Sequence, residues 1–383
     1  MKILITGSEG SLMQAVIPLL LEQGHEVTGI DMVDKNSNTR GYKFVQYDML
    51  EDGWRQKVGL DFEGVIHAAA KIYGVGGFNA RGADILGDDV TITRHVLNWA
   101  HQMKNLKRFI YISSSMVYET VEKDTLREED TFNTREEPFI APRTDYGLSK
   151  YVGERLCEAY AKEYDMRYLI WRPFNIITPY EMAAGKEQGV SHVFADFIQQ
   201  IVLNDRAVLP IFGDGKQVRC FTWIDDVARA VAKFSFDDAV PDNVAYNLGR
   251  NEPVTMIELA NKIKNAYVKI KFEKSDNDDK PLGFQSKGTY PNDVQKRVPD
   301  SSDAKHLLGW IPSVSLDESV KRCVEHAYSI KKLVQSMRPP VANKNVVIDD
   351  PNIEFVEPNE PVHLNVTLRN ELYDDYVRKG ERI

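Results

Sequence analysis

The chain has 383 residues, 43% hydrophobic and 27% charged, enough to bury a large core and divide into two lobes with additions. Its net charge of −9, from 48 basic and 57 acidic residues, leaves no basic stripe for nucleic acid. No apolar run approaches the roughly 20 residues of a membrane helix. Three scattered cysteines, Cys157, Cys220 and Cys323, argue against a disulfide framework or a zinc site and for the cytoplasm.

The first predicted element is a strand at Ile3–Ile5, running into a tight turn at Gly7 and Gly10 and then an apolar helix, Ala15–Leu21, stopped by Gly24. Such a strand–loop–helix start receives a pyrophosphate on backbone N–H groups and a helix N-terminus, so Gly7, Gly10, Ser11 and Leu12 are candidate cofactor contacts. A second strand, Glu26–Ile30, ends in Asp31. A carboxylate there accepts hydrogen bonds from the adenosine ribose and repels a 2′-phosphate, which favours NAD over NADP.

Further strands are expected at Val65–Ala68, Phe109–Ile112 and Tyr168–Trp171, and helical periodicity runs through Ile92–Met103 and Tyr151–Glu163. Strands alternating with helices predict an α/β, Rossmann-like doubly wound parallel sheet with helices on both faces. Inside that pattern, Tyr146 and Lys150 stand four residues apart, on one helix face if the segment is helical, and Ser113-Ser114-Ser115 lies upstream. A phenol with an ordinary pKa of roughly 10 needs help to act as a base near neutrality. A neighbouring ammonium supplies it, and a serine hydroxyl can hold the oxygen whose proton moves.

From Phe174 onward, loops rich in Gly, Pro and polar residues suggest a smaller α/β lobe. Ile224–Phe236 reads as a helix returning to the first lobe, and Pro299–Trp310 and Leu316–Ile330 as closing helices. The expected division is residues 1–173 with 219–247 for the dinucleotide lobe, 174–218 with 248–333 for the second, and 334–383 as a C-terminal extension. Prolines break up that extension, and Val362–Leu368 alternates as a strand would. It is expected to pack over the chain's own surface or to reach a second subunit.

Taken in order, Thr6-Gly7-x-x-Gly10, Asp31, Asp48-Met49, His67-Ala68-Ala69-Ala70, Ser113-Ser114-Ser115-Met116-Val117-Tyr118, Tyr146-x-x-x-Lys150 and Arg172-Pro173-Phe174-Asn175 resemble an extended short-chain dehydrogenase/reductase of the nucleotide-sugar epimerase and dehydratase family. The resemblance covers about residues 1–330. It implies NAD as cofactor, held also by Asp48, Met49, Ala68, Ala69, Ala70, Tyr146 and Lys150, and a homodimer. It implies Ser114 as the catalytic serine, and Ser115, Asn175, Arg219 and Arg297 as contacts to a nucleoside diphosphate sugar. Arginine suits a diphosphate because its planar fork donates two bonds to phosphate oxygens. Three positions depart from the pattern: Met13 replaces a third glycine, Asp89 stands where an asparagine is common, and Thr178 replaces a glycine before Pro179.

Dehydratases and decarboxylases of this group carry an acid beside the catalytic serine, whereas Ser115 and Met116 follow Ser114 here. Elimination is thereby disfavoured, and the expected chemistry is inversion at C4 through a transient 4-keto sugar. The rivals are a 4,6-dehydratase whose acid is Glu119 or Glu181, and a simple NAD(P)H-dependent carbonyl reductase. The loop Lys71–Asn79, with Gly76 and Gly77 as candidate substrate contacts, resembles the Gly-Gly loop of GDP-sugar enzymes and admits a 3,5-epimerase. Such an enzyme carries a cysteine where Met116 stands; Lys186 or His192 would then serve as an acid.

Overall fold

Short runs rich in β-branched and aromatic residues form seven parallel strands: β1 (Lys2–Thr6), β2 (Glu26–Asp31), β3 (Tyr42–Gln46), β4 (Gly64–His67), β5 (Arg108–Ile112), β6 (Tyr168–Pro173) and, much later, β11 (Val244–Leu248). Their order across the sheet is β11-β6-β5-β4-β1-β2-β3, all neighbours parallel. The computed structural model describes residues 1–35, 39–71, 81–132, 138–181, 183, 191–272, 282–289 and 293–337. Gly76, Gly77, Lys186 and the strand expected at Val362–Leu368 lie outside the described residues.

Strand side chains point alternately to the two faces, and the cores follow that period. Ile3, Ile5, Ile66, Ile110, Leu169 and Trp171 enter one core, while Leu4, Val65, Phe109, Tyr168 and Ile170 enter the other. Helix α1 (Ser11–Glu22) covers the first face through Val16, Ile17 and Leu20. On the opposite face, α2 (Trp54–Val58) contributes Trp54, α3 (Gly82–Ala100) contributes Val96 and Trp99, and α4 (Asp145–Tyr164) contributes Cys157. Burial on both faces explains the near-continuous apolar strands. Met13, in place of a glycine, is 1% exposed within the first core, so the contact between α1 and the sheet is built from a large side chain.

Beyond β6 a second core forms. β7 (Ile176–Ile177) leads to α5 (Val193–Ile198), whose last turn continues as a π-helical turn at Gln199–Leu203. β8 (Val208–Ile211), β9 (Val218–Cys220) and β10 (Thr222–Trp223) follow, then α6 (Ile224–Phe234) before β11. After β11 come β12 (Pro253–Thr255), α7 (Met256–Phe272), β13 (Gly283–Ser286), β14 (Lys296–Arg297), α8 (Ser302–Leu308) and α9 (Leu316–Met337). Phe194, Ile201, Leu209, Leu259, Ile263, Val320 and Val324 centre this core. Val227, Ala228, Val231 and Phe234 of α6 pack instead in the first core of the large sheet. Strand β9 pairs with β12 and β14, so Arg219 and Cys220 sit in a small sheet, and the chain rejoins the large one at α6 rather than at residue 219.

Among the described residues, no helix is long and apolar enough to cross a membrane.

Candidate active site

The strand order reverses between β1 and β4, and the crevice past their C-terminal ends is where an open parallel sheet binds ligands. Gly7 sits there with φ +67°. A Cβ on it would lie 2.6 Å from the backbone nitrogen of Ala69, so the loop's approach to β4 requires glycine. Gly10 caps α1 without a side-chain bond to the helix's N–H groups, leaving them to an anion. Asp31 closes β2, its Oδ2 accepting from the N–H of Glu9 at 3.0 Å and its Oδ1 from that of Val33 at 3.2 Å. Beside it, buried Glu9 accepts from the Tyr42 hydroxyl at 2.9 Å and ties the loop to β3.

These residues fit a dinucleotide: a backbone cradle that a Cβ would fill, a helix N-terminus for the pyrophosphate and a carboxylate at the ribose position. The N–H groups of Ala68 and Ala69 bond the Thr6 carbonyl and hydroxyl at 3.1 and 3.3 Å, welding the crevice floor. After β3, Asp48 Oδ1 accepts from Leu50 N–H at 2.9 Å, and Met49 is buried with Ile30 and Trp54.

From the crevice a cavity of ≈ 650 Å³ runs toward the second core. Gly7, Gly10, Ser11, Leu12, Ala68 and Ala70 line one end, Ser114, Ser115, Tyr146 and Lys150 its middle, and Asn175, Arg219 and Arg297 the other end. Asp31, Asp48, Met49 and Ala69 lie off that cavity.

Helix α4 starts at Thr144, whose hydroxyl accepts from Gly147 N–H at 3.1 Å, a standard N-cap. Within the first two turns it presents Tyr146 and Lys150, both buried. Ser114 ends the β5 segment and caps a short 3₁₀ turn, accepting from Met116 N–H at 3.2 Å. Burial pushes the Tyr146 phenol up to about 12, while a hydrogen bond with Ser114 and the Arg297 cation hold it down and Asp89 raises it. Lys150 Nζ lies 5.9 Å from the Tyr146 ring centroid and donates to the Ile112 carbonyl at 3.1 Å. Beside the lysine that the spacing argument expects there, Arg297 is a further cation that holds the phenol down. Ser113 is committed elsewhere, donating to Glu154 Oε1 at 2.5 Å.

The far end is made by register. β14 runs parallel to β9 with Arg297 opposite Arg219, so two residues distant in sequence share one patch of the small sheet. Asp293 accepts from Arg219 Nη2 at 3.3 Å. Arg297 donates to Met116 Sδ and, at 3.0 Å, to Asn175 Oδ1, while its buried Nε has no partner among the described residues. Burial, and then the Arg219 charge, bring the Arg297 guanidinium down to about 9. Two crowded, desolvated cations, of which only Arg219 is bonded to Asp293, form a patch suited to an anion. Asn175, with φ +33°, bridges this patch to Cys220 by a 2.7 Å bond from its amide to the carbonyl.

Two residues weighed as elimination acids separate cleanly. Glu119 Oε2 accepts from the backbone N–H groups of Arg143 and Thr144 and the Thr144 hydroxyl, at 2.8 to 3.0 Å. It braces the start of α4 and does not line the cavity. Glu181 does line it, paired at 2.6 Å with His192 Nδ1. The lining around His192, which is itself about half exposed at 48%, holds back its protonation, but the Glu181 carboxylate more than offsets that and raises its pKa. Asp293 and the contact of Met116 with Arg297 escape sequence reasoning, because both depend on the β9–β14 register.

Residues 3–249 match the NAD dependent epimerase/dehydratase family. Across 331 residues the chain is 27% identical to the GDP-mannose 3,5-epimerase of Arabidopsis thaliana, covering 84% of this chain and 80% of that protein. The UDP-N-acetyl-alpha-D-glucosaminuronate decarboxylase of Bacillus cytotoxicus is 26% identical over 334 residues, 84% and 96% of the two chains. The crystal structure of the UDP-glucose 4-epimerase of Thermotoga maritima with UDP-glucose superposes with a TM-score of 0.68 at 26% identity, covering 87% of this chain and all of that one.

Proposed function

Because the chain belongs to the NAD dependent epimerase/dehydratase family, we propose that it is an NAD-dependent nucleotide-sugar epimerase that inverts C4 through a transient 4-keto sugar. When bound, NAD supplies a positively charged acceptor, and later donor, of hydride. The chain's residues do the rest. Gly7, Gly10, Ser11 and Leu12 hold the pyrophosphate, Asp31 the adenosine ribose, and Asp48, Met49 and Ala68–Ala70 the remaining dinucleotide edges. Tyr146 takes the hydroxyl proton and returns it, Ser114 holds the reacting oxygen, and Lys150 holds the nicotinamide ribose while facing the phenol ring. Arg219 and Arg297 hold the diphosphate, with Asn175 and Ser115 beside it.

The observation that carries the reading is the shared cavity: register-paired arginines at one end and Ser114, Tyr146 and Lys150 in its middle. A ligand anchored by its phosphates can leave its sugar free to turn between hydride removal and return. Elimination finds no strong acid beside Ser114, since Ser115 and Met116 follow it, and Glu119, whose Oε2 braces the start of α4, does not line the cavity. A second reading, 3,5-epimerisation, is favoured by the His192–Glu181 pair, which places a proton-carrying dyad on the cavity wall.

The test incubates the protein with a panel of UDP- and GDP-sugars in deuterated water and follows them by proton NMR. A C4 epimer with no deuterium on carbon is expected, because the hydrogen returns from the cofactor. Label at C3 or C5 selects the second reading, a keto-deoxy product labelled at C6 means dehydration, and stoichiometric consumption of NAD(P)H means a reductase.

A further inference from the structure

Glu9 stands in the turn between Gly7 and Gly10 and is 2% exposed, and the dinucleotide contacts above make no use of its side chain. The turn itself does not call for a glutamate, since Gly10 N–H closes it on the Gly7 carbonyl at 3.1 Å. What the side chain does is gather donors. Oε1 accepts from the Tyr42 hydroxyl at 2.9 Å, and Oε2 accepts at 3.1 Å from both the Gln14 amide and the backbone N–H of Lys35. Those donors come from β3, from α1 and from the segment after β2. The Lys35 ammonium also turns to this residue, bonding the Glu9 carbonyl at 3.2 Å. An ionised carboxylate is acceptor-only, and that is the group such a set of donors matches.

The cluster lies against the ribose position. Glu9 N–H donates to Asp31 Oδ2 at 3.0 Å, and Val33 N–H is taken by Asp31 Oδ1 at 3.2 Å. NADP differs from NAD by a phosphate on the 2′-oxygen of that ribose. A phosphate monoester brings about −1.5 to −2 charges and three acceptor oxygens near pH 7. A site that takes it needs a cation and available donors beside the ribose acid's position, commonly an arginine. Here the Lys35 N–H and ammonium, the Gln14 amide and the Tyr42 hydroxyl are all turned onto Glu9. A carboxylate stands at their centre. Deleting the Asp31 carboxylate would leave this second one in place.

We infer that Glu9 is a second specificity-determining residue of the dinucleotide site, an internal anion that takes the donors a 2′-phosphate would need and repels the phosphate itself. The choice of NAD then rests on two carboxylates, one facing the ribose and one buried behind it. This depends on the adenosine ribose lying at Asp31 and not on which sugar reaction the chain performs. It also explains why a buried glutamate is kept in a turn that two glycines already close.

The experiment reads binding and needs no sugar, so it stands apart from the epimerase assignment. Four proteins are compared: wild type, Asp31→Ser, and Asp31→Ser combined with either Glu9→Gln or Glu9→Ser. Each is dialysed to constant composition against equal concentrations of NAD and NADP, and the bound dinucleotides are released by denaturation and separated by chromatography. Glu9→Gln keeps the shape, because its amide can donate to the Tyr42 hydroxyl while its carbonyl accepts from Lys35 and Gln14; only charge is lost. Asp31→Ser alone is expected to keep NAD in the majority. Adding Glu9→Gln should raise the bound NADP-to-NAD ratio about tenfold, the scale of one like-charge contact relieved at an anion. Glu9→Ser, which also frees the donors, should raise it at least as far, and it carries the comparison should the glutamine variant not fold. A ratio in both combined variants no higher than in Asp31→Ser overturns the inference, since a residue that merely ties the loop would weaken the two dinucleotides together. Equal NAD and NADP on Asp31→Ser overturns it too, because Asp31 would then carry the choice alone.

Discussion

The two ends of the cavity are built from different materials. Along β1 and β4 the chain offers backbone: Gly7 pressed against Ala69, Gly10 ahead of α1, and N–H groups facing the crevice. Across the cavity it offers side chains, Arg219 and Arg297 brought together by one strand register, with Asp293 accepting from Arg219 and Asn175 from Arg297. A backbone site is fixed by local geometry and tolerates almost no added atom. A side-chain site is fixed by packing between distant segments, and losing one member weakens binding without closing the pocket.

The hardest test of that contrast is Gly7→Ala. The new Cβ meets backbone within 2.6 Å, in a left-handed conformation at φ +67°. Strain of that conformation is about 1–3 kcal/mol, and the overlap adds about 1–3 kcal/mol more. The expected outcome is loss of copurifying NAD and a fall in stability of at least about 2 kcal/mol, read by absorbance of the released dinucleotide and by denaturant unfolding. Full NAD occupancy in Gly7→Ala would show that the loop yields and that the backbone end is not rigid.

At the side-chain end, Arg297→Ala should leave NAD binding unchanged and raise KM for the nucleotide sugar by about 10- to 100-fold, the scale of a lost charge-assisted pair. Equilibrium dialysis of NAD beside steady-state kinetics separates the two effects. Because Arg297 crowds Arg219 while desolvated, its removal should also not lower the unfolding midpoint. A clear loss of stability would mean that the cation holds the β9–β14 pair together rather than waiting for phosphate.

The same contrast governs what could be read before the fold was known. The β1–α1–β2 start, its glycines and Asp31 lie within one short stretch, so period and punctuation suffice. Tyr146 and Lys150 are legible because four residues on a helix make one face. β3 carries little alternation and follows a loop, and β11 pairs with β6 only after a long excursion through the second core; neither is marked by local sequence. The arginines are recognisable by resemblance, but their meeting depends on the register of two strands of two or three residues. Asp293 and the His192–Glu181 pair fall below any local pattern for the same reason. Asp89 is visible as a departure and Glu9 as a loop residue, yet both are buried, which no spacing reveals.

Gly24 isolates what makes Gly7 special. It too has a positive φ, +80°, at the end of α1, but a Cβ there would meet nothing within 4 Å. Both glycines therefore share the conformational need, and only Gly7 has the crowding. Gly24→Ala should cost about 1 kcal/mol, the strain of one left-handed alanine, with NAD occupancy and KM unchanged. If it released NAD as Gly7→Ala is expected to, the end of α1 would be coupled to its start. The backbone end of the cavity would then depend on the whole helix, and the close contact between Gly7 and Ala69 would no longer account for its intolerance of an added atom.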